Sequence, residues 1–98
     1  MNDMLKKSDV IHKAEMSEIY GYQIFAGTRR PGRMKLINIF LAMGLDLCEA
    51  QNVLKVCGFP QLYVKNARDC VCIYAIQNKY TVSQLNALLA EYGFKVEE

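Results

Sequence analysis

A chain of 98 residues and 11.2 kDa has room for a single hydrophobic core. Hydrophobic residues make up 52% of it and charged residues 22%, which excludes a disordered tail. Its longest apolar run falls far short of the ~18 residues that a membrane-spanning helix needs. No basic, apolar, small-residue leader opens the sequence, which argues against secretion.

The net charge of +2 names no partner, but its distribution is uneven. Residues 1–35 carry seven basic side chains against four acidic ones, a net +3, while residues 36–98 carry five against six. Positive charge therefore gathers where an anionic partner can use it. The four cysteines, Cys48, Cys57, Cys70 and Cys72, contain no Cys-x-x-Cys pair, and His12 lies far from them in sequence. On a helix, Cys70 and Cys72 point about 200° apart and cannot share a metal. All four sit among apolar neighbours, which predicts structural thiols in a reducing, cytoplasmic setting, with no metal and no cofactor.

In chain order, Val10, Ile11 and Ala14 fall at helical spacing over Ser8–Ala14. Ser17 is a good N-cap for a second helix over Glu18–Phe25, and Gly27 is placed to end it in the left-handed conformation. Met34, Leu36, Ile37, Phe40 and Leu41 predict a third, strongly apolar helix that stops at Gly44. Asp46 with Glu49 forms a capping-box pattern for a fourth helix, which Cys57-Gly58 and Phe59-Pro60 close. Leu62, Tyr63 and Val64 suit a short extended stretch across the core. Asn66 caps a fifth helix over 67–77, although Cys70–Ile76 also fits a buried strand by periodicity. Thr81 with Gln84 repeats the capping-box pattern, opening a sixth helix that ends at Gly93. The chain reads as an all-α domain of five or six short helices.

Val10-Ile11-His12-Lys13-Ala14, Met16-Ser17, Gly27-Thr28-Arg29-Arg30-Pro31 and Leu36-Ile37-Asn38-Ile39-Phe40 stand in the order of a helix-turn-helix. With them, residues 8–54 resemble the lambda repressor-like family of DNA-binding domains, also called Cro-like or XRE-like. Tyr20-Gly21-Tyr22-Gln23-Ile24-Phe25 is similar to the matching segment of small bacterial regulators that carry an added C-terminal helical pair. Where that family has a small residue this chain has Ile11, and where it has a branched apolar residue this chain has Gly21. The two positions face each other, so the double departure preserves packed volume. Glu15 stands where the turn has glycine in the family, which requires a backbone that is not left-handed. The family's first helix is reduced here to at most two turns over Met1–Lys7.

The resemblance implies sequence-specific duplex DNA binding by a transcriptional regulator, with residues 17–25 as the recognition helix in the major groove. Carried over by position, Ser17, Glu18, Tyr20, Tyr22 and Gln23 are the base-contact candidates. Lys6, Lys7, Arg29, Arg30 and Arg33 are the phosphate-contact candidates, and a homodimer on two half-sites is the expected assembly. Periodicity assigns Ile24 and Phe25 to the core, along with one of Tyr20 and Tyr22. Arg68-Asp69 reads as a surface or capping pair, and His12 as an exposed helix residue. No phosphate loop, nucleophile elbow or zinc-protease motif occurs, so catalysis is not expected. The aromatic, weakly charged helix 18–25 also suits a second reading, a helix-turn-helix kept as a protein-interaction module. The apolar faces within residues 59–98 predict an antiparallel hairpin packed on the N-terminal unit, making residues 1–98 a single domain. The apolar remainder, around Leu88 and Tyr92, is the expected dimer contact.

Overall fold

Side chains that satisfy free backbone groups mark out the helices. The computed structural model describes residues 6–95. Its helices are α1 (Lys7–Lys13), α2 (Glu18–Ala26), α3 (Arg33–Met43), α4 (Leu47–Val56), α5 (Ala67–Gln77) and α6 (Val82–Glu91). There is no strand among the described residues, and the fold is all-α. Met1–Leu5, most of the shortened first helix expected from the sequence, lie outside them. Ser17 accepts from the Tyr20 N–H, Asn66 from Asp69, and Asp46 and Thr81 form reciprocal capping boxes with Glu49 and Gln84. Cys70–Ile76 is wholly helical within α5.

All six helices close in one way. A residue in the left-handed region ends each, and the next N–H reaches back five residues to a free carbonyl, as from Met16 to Ile11 and from Phe94 to Leu89. Four of these left-handed residues are glycine; the other two are Glu15 (φ 59°) and Lys79 (φ 57°). Glu15 thus overturns the expected non-left-handed turn. Its backbone strain, about 1 kcal/mol, is offset by the helix-closing bonds and by the Ser83 hydroxyl, which donates to its carboxylate.

The residue after each left-handed position decides where the chain goes next. Met16, Leu45, Phe59, Tyr80 and Phe94 occupy that place after α1, α3, α4, α5 and α6, and all five pack against the core. After α2 the place is held by Thr28, which is exposed. Helix α3 lies at the centre, packed on α1, α4, α5 and α6, while α2 packs chiefly on α1. One contiguous core joins Val10 and Ala14 to Ile37, Phe40, Leu54, Ile76, Leu85 and Leu89. The only buried residue of α2 is Gly21. A Cβ built there falls 2.5 Å from Ile11 Cγ1, so the absence of a side chain in α2 makes room for Ile11.

The stretch from Leu62 to Val64 is not extended structure across the core. Leu62 is buried, but Tyr63 and Val64 are exposed, and a side chain supplies the partner that a strand lacks. Gln51 Nε2 donates to the Leu62 carbonyl at 2.8 Å, and the Leu62 N–H donates to Gln51 Oε1 at 2.6 Å.

Candidate nucleic-acid interface

Helix α2 buries only a narrow stripe and is apolar on its outer face as well. Gly21 and Ile24, three residues apart, face inward, and most of the remaining surface faces out. Ile19 is 75% exposed and Tyr22 46%, with Ser17 and Glu18 exposed beside them. Phe25, assigned to the core by periodicity, is instead 37% exposed. It lies about 40° round the helix from Gly21 and about 100° from Ile24, at the edge of the inward face, and α2, packed chiefly on α1, leaves that edge partly open. Ile19 is a surface residue that sequence reasoning passed over; its spacing of three from Tyr22 was the available signal.

The other base-contact candidates are engaged in part. Ser17 serves as the helix cap through its hydroxyl. Tyr20 is half-buried beneath Arg29, whose guanidinium carbon stands 5.0 Å from the ring centroid. Arg29 Nε also donates to Gln23 Oε1 at 3.2 Å, and the Gln23 carbonyl accepts from the N–H groups of Thr28 and Arg29. Tyr20, Gln23 and Arg29 therefore form one fixed corner. At the other end, Lys7 Nζ lies 5.9 Å from the Phe25 centroid. Neighbouring segments thus bring to α2 the cations that its own sequence lacks. Lys6, at the start of α1, is exposed.

Arg30 and Arg33, expected to be phosphate contacts, are both engaged by acceptors of the 57–69 segment, and Arg30 is exposed. Arg30 donates to the Cys57 carbonyl and lies over the Phe59 ring. Arg33 donates through Nε to the Pro60 carbonyl, through Nη2 to the Gln61 carbonyl, and through both Nη atoms to the two Asp69 oxygens at 2.9 and 3.1 Å. A guanidinium fork matches this planar, bidentate arrangement, which leaves no donor nitrogen of Arg33 without a protein acceptor. The partner of Asp69 is Arg33, not the adjacent Arg68, and Asp69 is buried rather than a surface residue. Burial raises the Asp69 pKa, but the Arg33 guanidinium and the Tyr63 N–H outweigh it and hold the carboxyl below its ordinary value.

The thiols also differ from expectation. Only Cys72 is buried; Cys57 is intermediate, and Cys48 and Cys70 are exposed. Burial, with the Asp69 carboxylate nearby, pushes the Cys72 thiol up to about 11, which keeps it protonated and unreactive. Among the described residues, no group of three or more His, Cys, Asp or Glu side chains is placed to hold a metal ion. Among them, too, no helix is long and apolar enough to cross a membrane. Comparison of the chain with protein-family models, with curated proteins and with solved structures finds no match.

Proposed function

We propose that the protein binds duplex DNA as a small transcriptional regulator, with α2 entering the major groove. The observation supporting this reading is that α2, alone among the six helices, is not drawn back into the core at its end. It leaves Thr28 and Arg29 exposed, with the Arg29 guanidinium reaching back over the Tyr20 ring in the first turn of α2. Glu18 is then set to accept from a cytosine amine, and Ile19 and Tyr22 to meet thymine methyl groups. Lys6, Lys7 and Arg29 supply phosphate contacts, while Gln23 acts by holding Arg29 in position. With three such cations, log affinity falls against log salt with a slope of about −3 per copy. Purified protein incubated with fragmented genomic DNA should enrich a common sequence, with Ile19→Ala relaxing its choice and a Lys7→Ala, Arg29→Ala pair weakening all sites alike. No enrichment at low salt overturns the proposal.

A second reading rests on the apolar character of the same face. Ile19, Tyr22 and Phe25 are exposed on a helix that carries no lysine or arginine, a composition that suits a protein hot spot. Loss of activity on Tyr22→Ala, with activity unchanged in the Lys7→Ala, Arg29→Ala pair, favours this protein-interaction module over DNA.

A further inference from the structure

Between α5 and α6 lies an open groove of about 650 Å³, within the range of small-molecule sites. Four aromatic rings line it, Tyr74, Tyr80, Tyr92 and Phe94, with Val71 and Leu88 beside them. The Tyr74 and Tyr80 rings stand at 89° to one another with centroids 5.6 Å apart, so two aromatic walls meet at a corner. Tyr74 is 50% and Tyr92 65% exposed, which leaves ring surface open. No charged side chain lines the groove among the described residues. We propose that this groove binds a small organic cation of the alkylated-ammonium class, held against the aromatic rings.

Charge complementarity favours this occupant. An aromatic ring is negative on its faces, and several rings around one space attract a cation that gives up its water readily. The chain uses that attraction elsewhere, with Lys7 over Phe25, Arg29 over Tyr20 and Arg30 over Phe59. Among the described residues, no such cation stands over the four groove rings. Cations adjacent to the lining in sequence are drawn away from it. Lys79 Nζ donates to the Gly44 carbonyl at 2.8 Å, and Arg68 Nη1 to the Lys95 carbonyl at 2.6 Å. Lys95 follows Phe94 but does not line the groove. A carboxylate or phosphate therefore meets no cationic partner there. Size points to a free small molecule, because the exposed lining is a small fraction of what a protein interface buries. The inference does not depend on what α2 binds.

The test is an NMR titration of the full chain with choline into the millimolar range. Sodium chloride at equal ionic strength is one control, and choline's neutral isostere, with carbon in place of nitrogen, is the other. Choline should shift the signals of residues 70–74 and 88–94 and bind at least about tenfold more tightly than the isostere. Tyr92→Leu keeps an apolar side chain at an exposed position, so it should weaken choline about threefold and leave the isostere unchanged. Tyr92→Phe keeps the ring and should keep the affinity, and both variants should melt as the wild type does. Equal binding of choline and the isostere overturns the proposal in favour of a neutral apolar ligand. No shift with either overturns it outright. Tighter binding of a trimethyllysine peptide than of choline overturns the assignment to a free small molecule. Shifts that follow protein concentration alone give the groove to a second copy, and overturn it as well.

Discussion

Asp69 concentrates opposing effects in one carboxylate. Its burial favours the neutral acid, yet two hydrogen bonds from Arg33 and one from the Tyr63 N–H favour the ion, and the ion prevails. A carboxyl whose folded pKa lies below its unfolded value, near 3.9, adds stability that is fully present above that value. The contribution is lost as pH falls through the lowered folded value. Asp69→Asn should cost about 3 kcal/mol, the low end for breaking a buried pair, because the Arg33 side chain retains 27% exposure. Denaturant melts between neutral and strongly acid pH should show the wild type losing stability as Asp69 takes up a proton, and the variant's acid limb flattened. Arg33→Lys should not substitute, since a single ammonium cannot reach both carboxylate oxygens and the carbonyls of Pro60 and Gln61. None of this was legible locally. Arg68 stands next to Asp69 in sequence, and nothing in the charge pattern points instead to a residue 36 positions away.

At the scale of helices, the caps were the most legible feature because a cap acts over three residues. Ser17, Asp46, Asn66 and Thr81 each accept the N–H three positions on. The α1–α2 contact was legible for another reason, the paired change of size at Ile11 and Gly21 within one helix pair. Gly21→Ala gains helix propensity, about 1 kcal/mol, but drives its new methyl into Ile11 and should be destabilising overall by about 1–2 kcal/mol. Ile11→Ala should cost about 2–4 kcal/mol through the cavity it leaves. Chemical denaturation of both single variants and the double should return a total smaller than the sum of the two, because the new methyl fills part of the cavity. Strict additivity would mean that the two sites do not share this space. Phe25 was misread at the same scale. A short helix rich in apolar residues has no single apolar stripe, and periodicity does not say how much of it a neighbour covers.

For the whole molecule, the C-terminal hairpin and the N-terminal helices share one core. A fragment of residues 1–60 loses Leu62, Cys72, Ile76, Leu85 and Leu89 from that core and leaves Arg33 without Asp69. Burial of five such side chains contributes on the order of 10 kcal/mol, comparable with the total stability of a domain this size. The fragment should therefore lack a cooperative thermal transition by circular dichroism and show broad, uniform hydrogen exchange. A sharp melt near that of the full chain would place the folding unit within the first 60 residues. The all-α class and the helix boundaries to within a residue or two follow from spacing and from caps that act over a few residues, whereas the Ile11–Gly21 match came from the family resemblance. The destinations of Arg30, Arg33 and Asp69, and the exposure of Ile19 and Phe25, were settled only by the tertiary structure, in which the 57–66 connector offers its carbonyls to the two arginines and the hairpin packs on α3 and α4 rather than on α2. Arg30 and Arg33 meet their acceptors 27 to 36 residues along the chain. A long guanidinium side chain reaches many carbonyls, and only the folded path of the backbone selects among them.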